Sequence, residues 1–459
     1  MSLPSAGLAT PALPGRAVRD EIRATARLGV PLALAQVGQI AINTTDVLIL
    51  GRLSPEALAS ASLAMSLFHP SLLFAIGVVT AVSPLVAQAL GARRPREVRR
   101  AVRQGLWVTV AVALPLMALL WFVRPILAAL GQDPAVLDGS ATFMHAFVWG
   151  LPGAVGFVVL RCFVTGFGRT RAVIAITLMG VLVNAVLNWG LVFGRFGLPR
   201  LELMGSGMAS SIVNTAMFLA LLAYAVRARP FRRYGVLGNF WRPDWAKFRA
   251  ILRLGVPIGG LILLEVAMFS SAVLLMGLIG TLEVAAHQVT VQIAATAFMV
   301  PLGIGHAATI RVALAHGGGD RAAVRRAGLV ACGLGTVFTT LSALAFWFLP
   351  DLLVAPFLDP ANPEALIVAA LAVSFLKIAA LFQLVDGVQV IAASALRGMS
   401  DTRVPMLLAG IGYWLVGFPA CALLAFAVGL GGAGIWTGLA IGLGATALLL
   451  TARFWRLSA

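Results

Sequence analysis

The chain has 459 residues, of which 60% are apolar and only 11% charged, and its mean hydropathy is +0.97. A soluble domain carries roughly a quarter charged residues, so water is excluded as the solvent for most of this chain and lipid takes its place. The net charge of +17 raises nucleic acid as a partner, and the placement of the basic residues, described below, decides against it.

A bilayer core of ~30 Å takes about 20 apolar residues per helix, and twelve runs of that length follow one another between short breaks. They lack the period-2 alternation of an outer-membrane barrel, and lipid leaves unpaired backbone groups unsatisfied, so helices are the expected form. Residues 1-24 contain Pro4, Pro11 and Pro14 with scattered arginines. They lack the apolar core and cleavage site of a signal peptide and read as a cytoplasmic segment.

Span 1 (25-50) carries Gln36, Gln39, Asn43 and Asp46, whose spacing keeps them on one helix face. Such a stripe faces water or protein, so Gln36, Gln39 and Asn43 are candidates to line a substrate cavity, as are Phe269, Gln288 and Phe382 of the second half. Gln36 and Gln39 read as structural rather than ligating. Spans 2 (56-84), 3 (98-122) and 4 (136-160) follow. Span 5 (170-195) sets Asn184 and Asn188 one turn apart. Two amide oxygens aimed at one point ligate a hard cation, although interhelical hydrogen bonding alone also accounts for the pair.

Span 6 (203-227) closes the first half, and an amphipathic linker (228-247) with Pro230, Pro243, Trp241 and Trp245 leads to the second. Span 7 (248-278) has Pro257 and Gly259-Gly260, which permit a bend ahead of Glu265, with Phe269 one turn later. Span 8 (282-310) opens with His287 and Gln288, and span 9 (322-347) follows. In span 10 (365-394), Phe382, Gln383 and Gln389 surround Asp386. Lys377, nine positions earlier, points about 180° away, so it either snorkels to the outer interface or reaches a cavity as a tethered cation. Spans 11 (402-428) and 12 (431-455) complete the chain.

The arginines are distributed by break. The segment before span 1 and the breaks after spans 2, 4, 6, 8 and 10 hold nearly all of them, among them Arg93, Arg94, Arg161, Arg232, Arg311 and Arg397, whereas the odd-numbered breaks hold only Arg52, Arg124, Arg195 and Arg200. This is the positive-inside pattern with both termini cytoplasmic. Attraction to anionic headgroups accounts for the basic charge without nucleic acid.

The chain is also a duplication. An offset of 226 places Arg27-Leu28-Gly29-Val30-Pro31 on Arg253-Leu254-Gly255-Val256-Pro257, and Val98-Arg99-Arg100 on Val324-Arg325-Arg326. Six spans per repeat give both halves the same orientation, related by an axis along the membrane normal. This is a transporter arrangement with a cavity near the midplane between two rocking lobes.

Only three acids, Asp46, Glu265 and Asp386, lie clearly inside apolar spans. A charge at a helix centre costs about 2.5–3.5 kcal/mol on insertion scales, so these residues are expected to face a cavity and bind something, or else to pair structurally with a neighbouring helix. Cys162, Cys332 and Cys421 are scattered and read as inert thiols, and the five histidines lack metal-ligand spacing.

Four separated stretches resemble the multidrug and toxic compound extrusion transporters, in the NorM branch: Asp46 to Gln88, Asn184-Ala185-Val186-Leu187-Asn188-Trp189, Glu265 with Ala285-Ala286-His287-Gln288-Val289, and Asp386-Gly387-Val388-Gln389 ahead of Leu396-Arg397-Gly398. The resemblance implies a V-shaped, all-α integral membrane protein of twelve transmembrane helices in two six-helix lobes, residues 25-227 and 248-455. It also implies antiport of organic cations against Na+ or H+ without a cofactor. By position, Asp46, Asn184 and Asn188 match an amino-lobe cation site, and Glu265 and Asp386 a carboxy-lobe site with Phe269 nearby. The branch commonly has tyrosine where this chain has Phe382, which offers no hydroxyl and leaves proton coupling open.

The expectation is therefore a secondary active multidrug efflux antiporter of the bacterial inner membrane, a monomer in lipid that takes small cationic amphiphiles. The competing reading is a lipid-linked saccharide flippase, which needs cavity arginines for a pyrophosphate. A membrane acyltransferase would need a histidine or carboxylate constellation near one membrane face.

Overall fold

A computed structural model describes residues 14–238, 240–358 and 364–459 of the chain. Among them, twelve helices are long and apolar enough to cross a membrane. In order, they are α1 Ala17–Leu53, α2 Pro55–Gly91, α3 Pro95–Trp121, α4 Pro134–Gly166, α5 Arg171–Phe193, α6 Glu202–Arg227, α7 Trp245–Ile279, α8 Thr281–Gly317, α9 Arg321–Phe348, α10 Ala365–Gly398, α11 Arg403–Ala427 and α12 Gly431–Ser458. Residues 1–13 of the N-terminal segment lie outside the described residues.

The breaks are built by local chemistry. Ser54 caps α2 by accepting from the Ala57 backbone N–H at 3.0 Å, with Pro55 at the first helical position. Asp133, Asp244 and Asp320 cap α4, α7 and α9 in the same way. Gly194 closes α5 in the left-handed region at φ 69°, where a side chain is strained.

Each expected span has its helix, but several helices run further than the apolar run alone indicates. At 37 residues, α1, α2 and α8 rise ~55 Å, well beyond a ~30 Å hydrocarbon core. Their charged ends were read as breaks because hydropathy falls where a helix leaves lipid, while the backbone hydrogen bonds continue. Arg161 and Arg311, expected in breaks, are inside α4 and α8, and Arg397 is the penultimate residue of α10. Three spans are irregular within their length: α2 is interrupted at Ala81, α4 tightens into a 3-10 turn over Val148–Gly150, and α11 holds π-helical turns over Ile411–Gly417 and Leu423–Ala427.

Two main cores form. One gathers Phe68, Phe143, Phe163 and Leu221 from α2, α4 and α6, and the other Phe375, Tyr413, Trp436 and Met276 from α7 and α10 to α12. We call the face bearing the arginine-rich breaks the basic face. The two halves meet in the part of the membrane nearest that face. A Cβ on Gly77 of α2 would lie 2.5 Å from the Gly259 Cα of α7, and one on Gly303 of α8 would lie 2.6 Å from the Ala33 nitrogen of α1. Only glycine allows backbones this close.

Polar bonds reinforce the same seam. The Arg311 guanidinium of α8 donates to both Glu21 carboxylate oxygens of α1, at 2.8 and 2.6 Å. Gln88 of α2 donates to the Gly398 carbonyl at 2.8 Å and the Ser400 hydroxyl at 2.9 Å. The linker packs beside this face: Phe231 is buried with Phe163 and Phe167, Trp107 donates to the Phe240 carbonyl, and Trp241 is exposed. Asp244 accepts from Arg100 at 2.5 Å, and that guanidinium holds its carboxyl below the usual range.

Candidate functional site

The three intramembrane acids fall into two clusters, one in each half. In the first, Asp46 near the end of α1 is held by two neighbours. Asn188 of α5 donates its amide N–H to one carboxylate oxygen at 2.5 Å, and Ser210 of α6 donates its hydroxyl to the other at 2.8 Å. Asn184, one turn before Asn188, donates to the Ser210 oxygen at 3.2 Å. Both asparagine side chains spend their N–H groups on this network, so the Asn184 and Asn188 Oδ1 atoms stay buried without a protein partner. A carboxylate beside two free amide oxygens is an all-oxygen set of the kind hard cations bind. The same carboxylate oxygens can alternatively take a proton.

Ser210 was not among the expected residues. It sits among Ser206, Ser211 and Asn214 in α6, a run that reads as ordinary helix-packing polarity. Only the approach of α5 and α6 to α1 singles it out. The α1 stripe, conversely, does not act as one unit: Gln36 accepts from Arg161 of α4 at 3.0 Å, Gln39 is exposed and Asn43 is half-buried.

The second cluster lies in the other half. Asp386 of α10 is buried with one carboxylate oxygen unpartnered, and Gln383, one turn earlier, has neither end of its amide bonded. Gln389 donates to the Tyr413 hydroxyl at 2.7 Å and keeps its own Oε1 free. Glu265 of α7 is half-buried and lies near Asp386 and Tyr413. Buried polar groups left without partners cost about 1–3 kcal/mol each. Asp386, Gln383 and Gln389 together present several such groups in one core, an arrangement that a polar or charged guest would satisfy.

Phe382, where the resemblance leads one to expect tyrosine, forms an apolar wall. It meets Phe269 edge-to-face at 5.9 Å and Trp436 at 5.5 Å between ring centroids. A hydroxyl enters this core from Tyr413 of α11, which accepts from Gln389 and is fully buried on the π-helical turn, a distortion often found at functional sites. Tyrosine occurs only three times in the sequence, and one placed mid-span was the available signal. His287 is buried against Trp436, whereas Gln288 beside it is exposed and joins neither cluster.

Lys377 is exposed on the far side of α10 from buried Asp386, as the nine-residue spacing requires. Arg161 and Arg397 lie on helices rather than in breaks, and the charges of both reach His306 of α8. Among the described residues no group of three or more histidines, cysteines or acids could hold a metal ion, and all three cysteines are free.

Comparison with known proteins gives the same organisation. The MatE family model matches twice, over residues 31–190 and 257–423. The two matches begin at Pro31 and Pro257, the offset at which the sequence repeats itself. A protein of Mesorhizobium japonicum named as a probable multidrug resistance protein NorM is 45% identical over 95% of this chain and 94% of its own length. One of the same name from Pseudomonas aeruginosa is 43% identical over 95% of this chain and 90% of its own. Among solved structures, a eukaryotic MATE transporter superposes with a TM-score of 0.84 at 21% identity, over 96% of this chain and 99% of that one. A mutant of the Vibrio cholerae MATE transporter VcmN superposes with a TM-score of 0.86 at 15% identity, over 96% and 98%. Matched twice by the family model and 45% identical to a NorM relative over nearly its whole length, the chain belongs to the MatE family of membrane transporters, in its NorM branch.

Proposed function

We propose that this multi-pass membrane protein exports small organic cations from the cell in exchange for an inward-moving Na+ or H+, with Asp46 and the Glu265–Asp386 pair as its charge-binding positions. The NorM relatives bear multidrug resistance names, which supports efflux and a transporter rather than an enzyme. Under this reading the membrane is the bacterial inner one, the basic face is cytoplasmic, and the lobes comprise residues 25–227 and 248–455. The contacts joining the lobes lie toward the basic face, which supports an outward-open conformation.

The observation that carries the proposal is the Asp386 cluster: a buried carboxylate with a free oxygen, a second acid beside it and unpartnered amide oxygens around it. In the outward-open state, an ion or proton neutralises this carboxylate. Neutralisation removes the charge that resists closure, the seam at the basic face parts, and a cationic substrate arriving from inside displaces the ion. Substrate and ion seek the same negative charge, so mutual exclusion couples their fluxes without a further device. The same logic applies at Asp46, where Asn188, Asn184 and Ser210 position the carboxylate.

Competition binding tests this. A fluorescent organic cation bound to the purified protein is expected to be displaced by Na+ or by acid, and Asp386→Asn or Asp46→Asn is expected to abolish that displacement. If both variants compete like the wild type, neither acid is the coupling position.

A further inference from the structure

The mechanism above leaves Lys377 unused. It lies twelve residues after the start of α10, a rise of ~18 Å. It is exposed, and among the described residues it forms no ion pair with any acid. It lines a cavity of about 660 Å³ together with Trp347 of α9, Ser374, Ile378 and Leu381 of α10, and Thr437 of α12. The size falls within the roughly 300–1,000 Å³ of small-molecule sites. All three helices belong to the second half, and none of the lining comes from the α1, α2, α7 or α8 surfaces where the halves meet. Leu366 and Leu381, at 80% and 60% exposure, mark this side of α10 as one that alkyl chains cover.

A lone ammonium facing alkyl chains is costly unless it reaches the headgroups or gains a counter-anion. Side chains on a helix tilt toward its N-terminus, and the α10 N-terminus is at the face opposite the basic one, so Lys377 snorkels toward that leaflet's headgroups. Ser374, one turn nearer the same end, is exposed with a hydroxyl free to donate. The Thr437 hydroxyl is already committed to the Ala433 carbonyl at 2.8 Å. Trp347, at the end of α9, is the amphipathic ring that sits at a membrane interface. One cation and one hydroxyl donor stand at the polar end, and Ile378, Leu381 and Val385 continue down the groove. This is the chemistry of a phosphate attached to an acyl chain.

We propose that the groove between α9, α10 and α12 is a binding site for a phospholipid of the leaflet opposite the basic face, with a preference for an anionic headgroup. Lys377 and Ser374 hold the phosphate, and an acyl chain fills the groove along Ile378 and Leu381.

The test is native mass spectrometry of the full-length protein released from nanodiscs containing equal phosphatidylglycerol and phosphatidylcholine. Wild type and Lys377→Arg are expected to retain phosphatidylglycerol preferentially. Lys377→Gln is expected to lose about fivefold of that preference, the factor a single lysine near an anionic surface supplies. Ile378→Trp, which fills the groove but keeps the lysine, is expected to lose retained lipid of both kinds. Equal melting temperatures of the variants in phosphatidylcholine alone exclude misfolding as the cause. Unchanged preference in Lys377→Gln overturns the proposal. So does inorganic phosphate displacing the lipid from the wild type, or retention of an amphiphilic cation in place of phosphatidylglycerol. The readout is lipid binding, so its failure leaves the antiport proposal standing.

Discussion

If the conformation described here is one of two that exchange during transport, the Glu21–Arg311 pair is a lock on the basic face. Arg311 makes two bonds to the Glu21 carboxylate, at 2.8 and 2.6 Å, between helices of opposite halves. The carboxylate side is nearly buried at 6% exposure and the guanidinium is partly open at 30%. Breaking a fully buried pair costs 3–5 kcal/mol, and an exposed one under about 1 kcal/mol. An intermediate of about 2 kcal/mol fits this pair. Because the two helices separate when the basic face opens, Glu21→Gln removes that energy from one state only. A shift of about 2 kcal/mol changes the ratio of the two states by about thirtyfold. Spin labels or fluorophores placed on α1 and α8 at the basic face report the population by distance. The expected result is a marked gain of the long distance in Glu21→Gln, reversed when Glu21→Arg is combined with Arg311→Glu. Unchanged populations, with only a lower melting temperature, would refute the lock and leave the pair as ordinary structural support.

Other outcomes follow from the same geometry. Ser210→Ala removes one donor from Asp46 and the acceptor used by Asn184, and is expected to change ion affinity by about 5–30-fold, the equivalent of ~1–2 kcal/mol, as measured by competition with a bound fluorescent cation. Tyr413→Phe strands the Gln389 amide in a buried site and is expected to lower stability by about 1–3 kcal/mol, while also weakening ion competition; thermal unfolding in detergent reads the first effect. Asp244→Asn uncouples the linker from Arg100. The Asp244 carboxyl is held low by that guanidinium, so its contribution is present above pH ~4 and fades as pH falls through the depressed value. The stability gap between wild type and Asp244→Asn is therefore expected to narrow on acidification below pH ~4. A gap that stays constant with pH contradicts the charged pairing.

The twelve spans were legible because transfer into lipid acts residue by residue and leaves its signature in every apolar run. The opposed faces of Lys377 and Asp386 were legible too, since nine residues of α-helix fix the angle between them. What sequence did not reveal depends on helices meeting. Ser210 becomes distinctive only because α6 passes Asp46, and Tyr413 only because a π-helical turn aims it at Gln389. Glu21 and Arg311 are 290 residues apart, and no local pattern joins them. The helix ends were misplaced for a related reason: Arg161, Arg311 and Arg397 have low hydropathy, yet backbone hydrogen bonding carries α4, α8 and α10 through or up to them.

Coupled antiport is measured as export of a fluorescent organic cation from proteoliposomes under an imposed Na+ or pH gradient, for the wild type and Asp386→Asn. Gradient-driven export by the wild type is expected with at least one of the two ions, and its loss is expected in Asp386→Asn. Absence of gradient-driven export by the wild type with either ion, across several cations, would contradict coupled antiport.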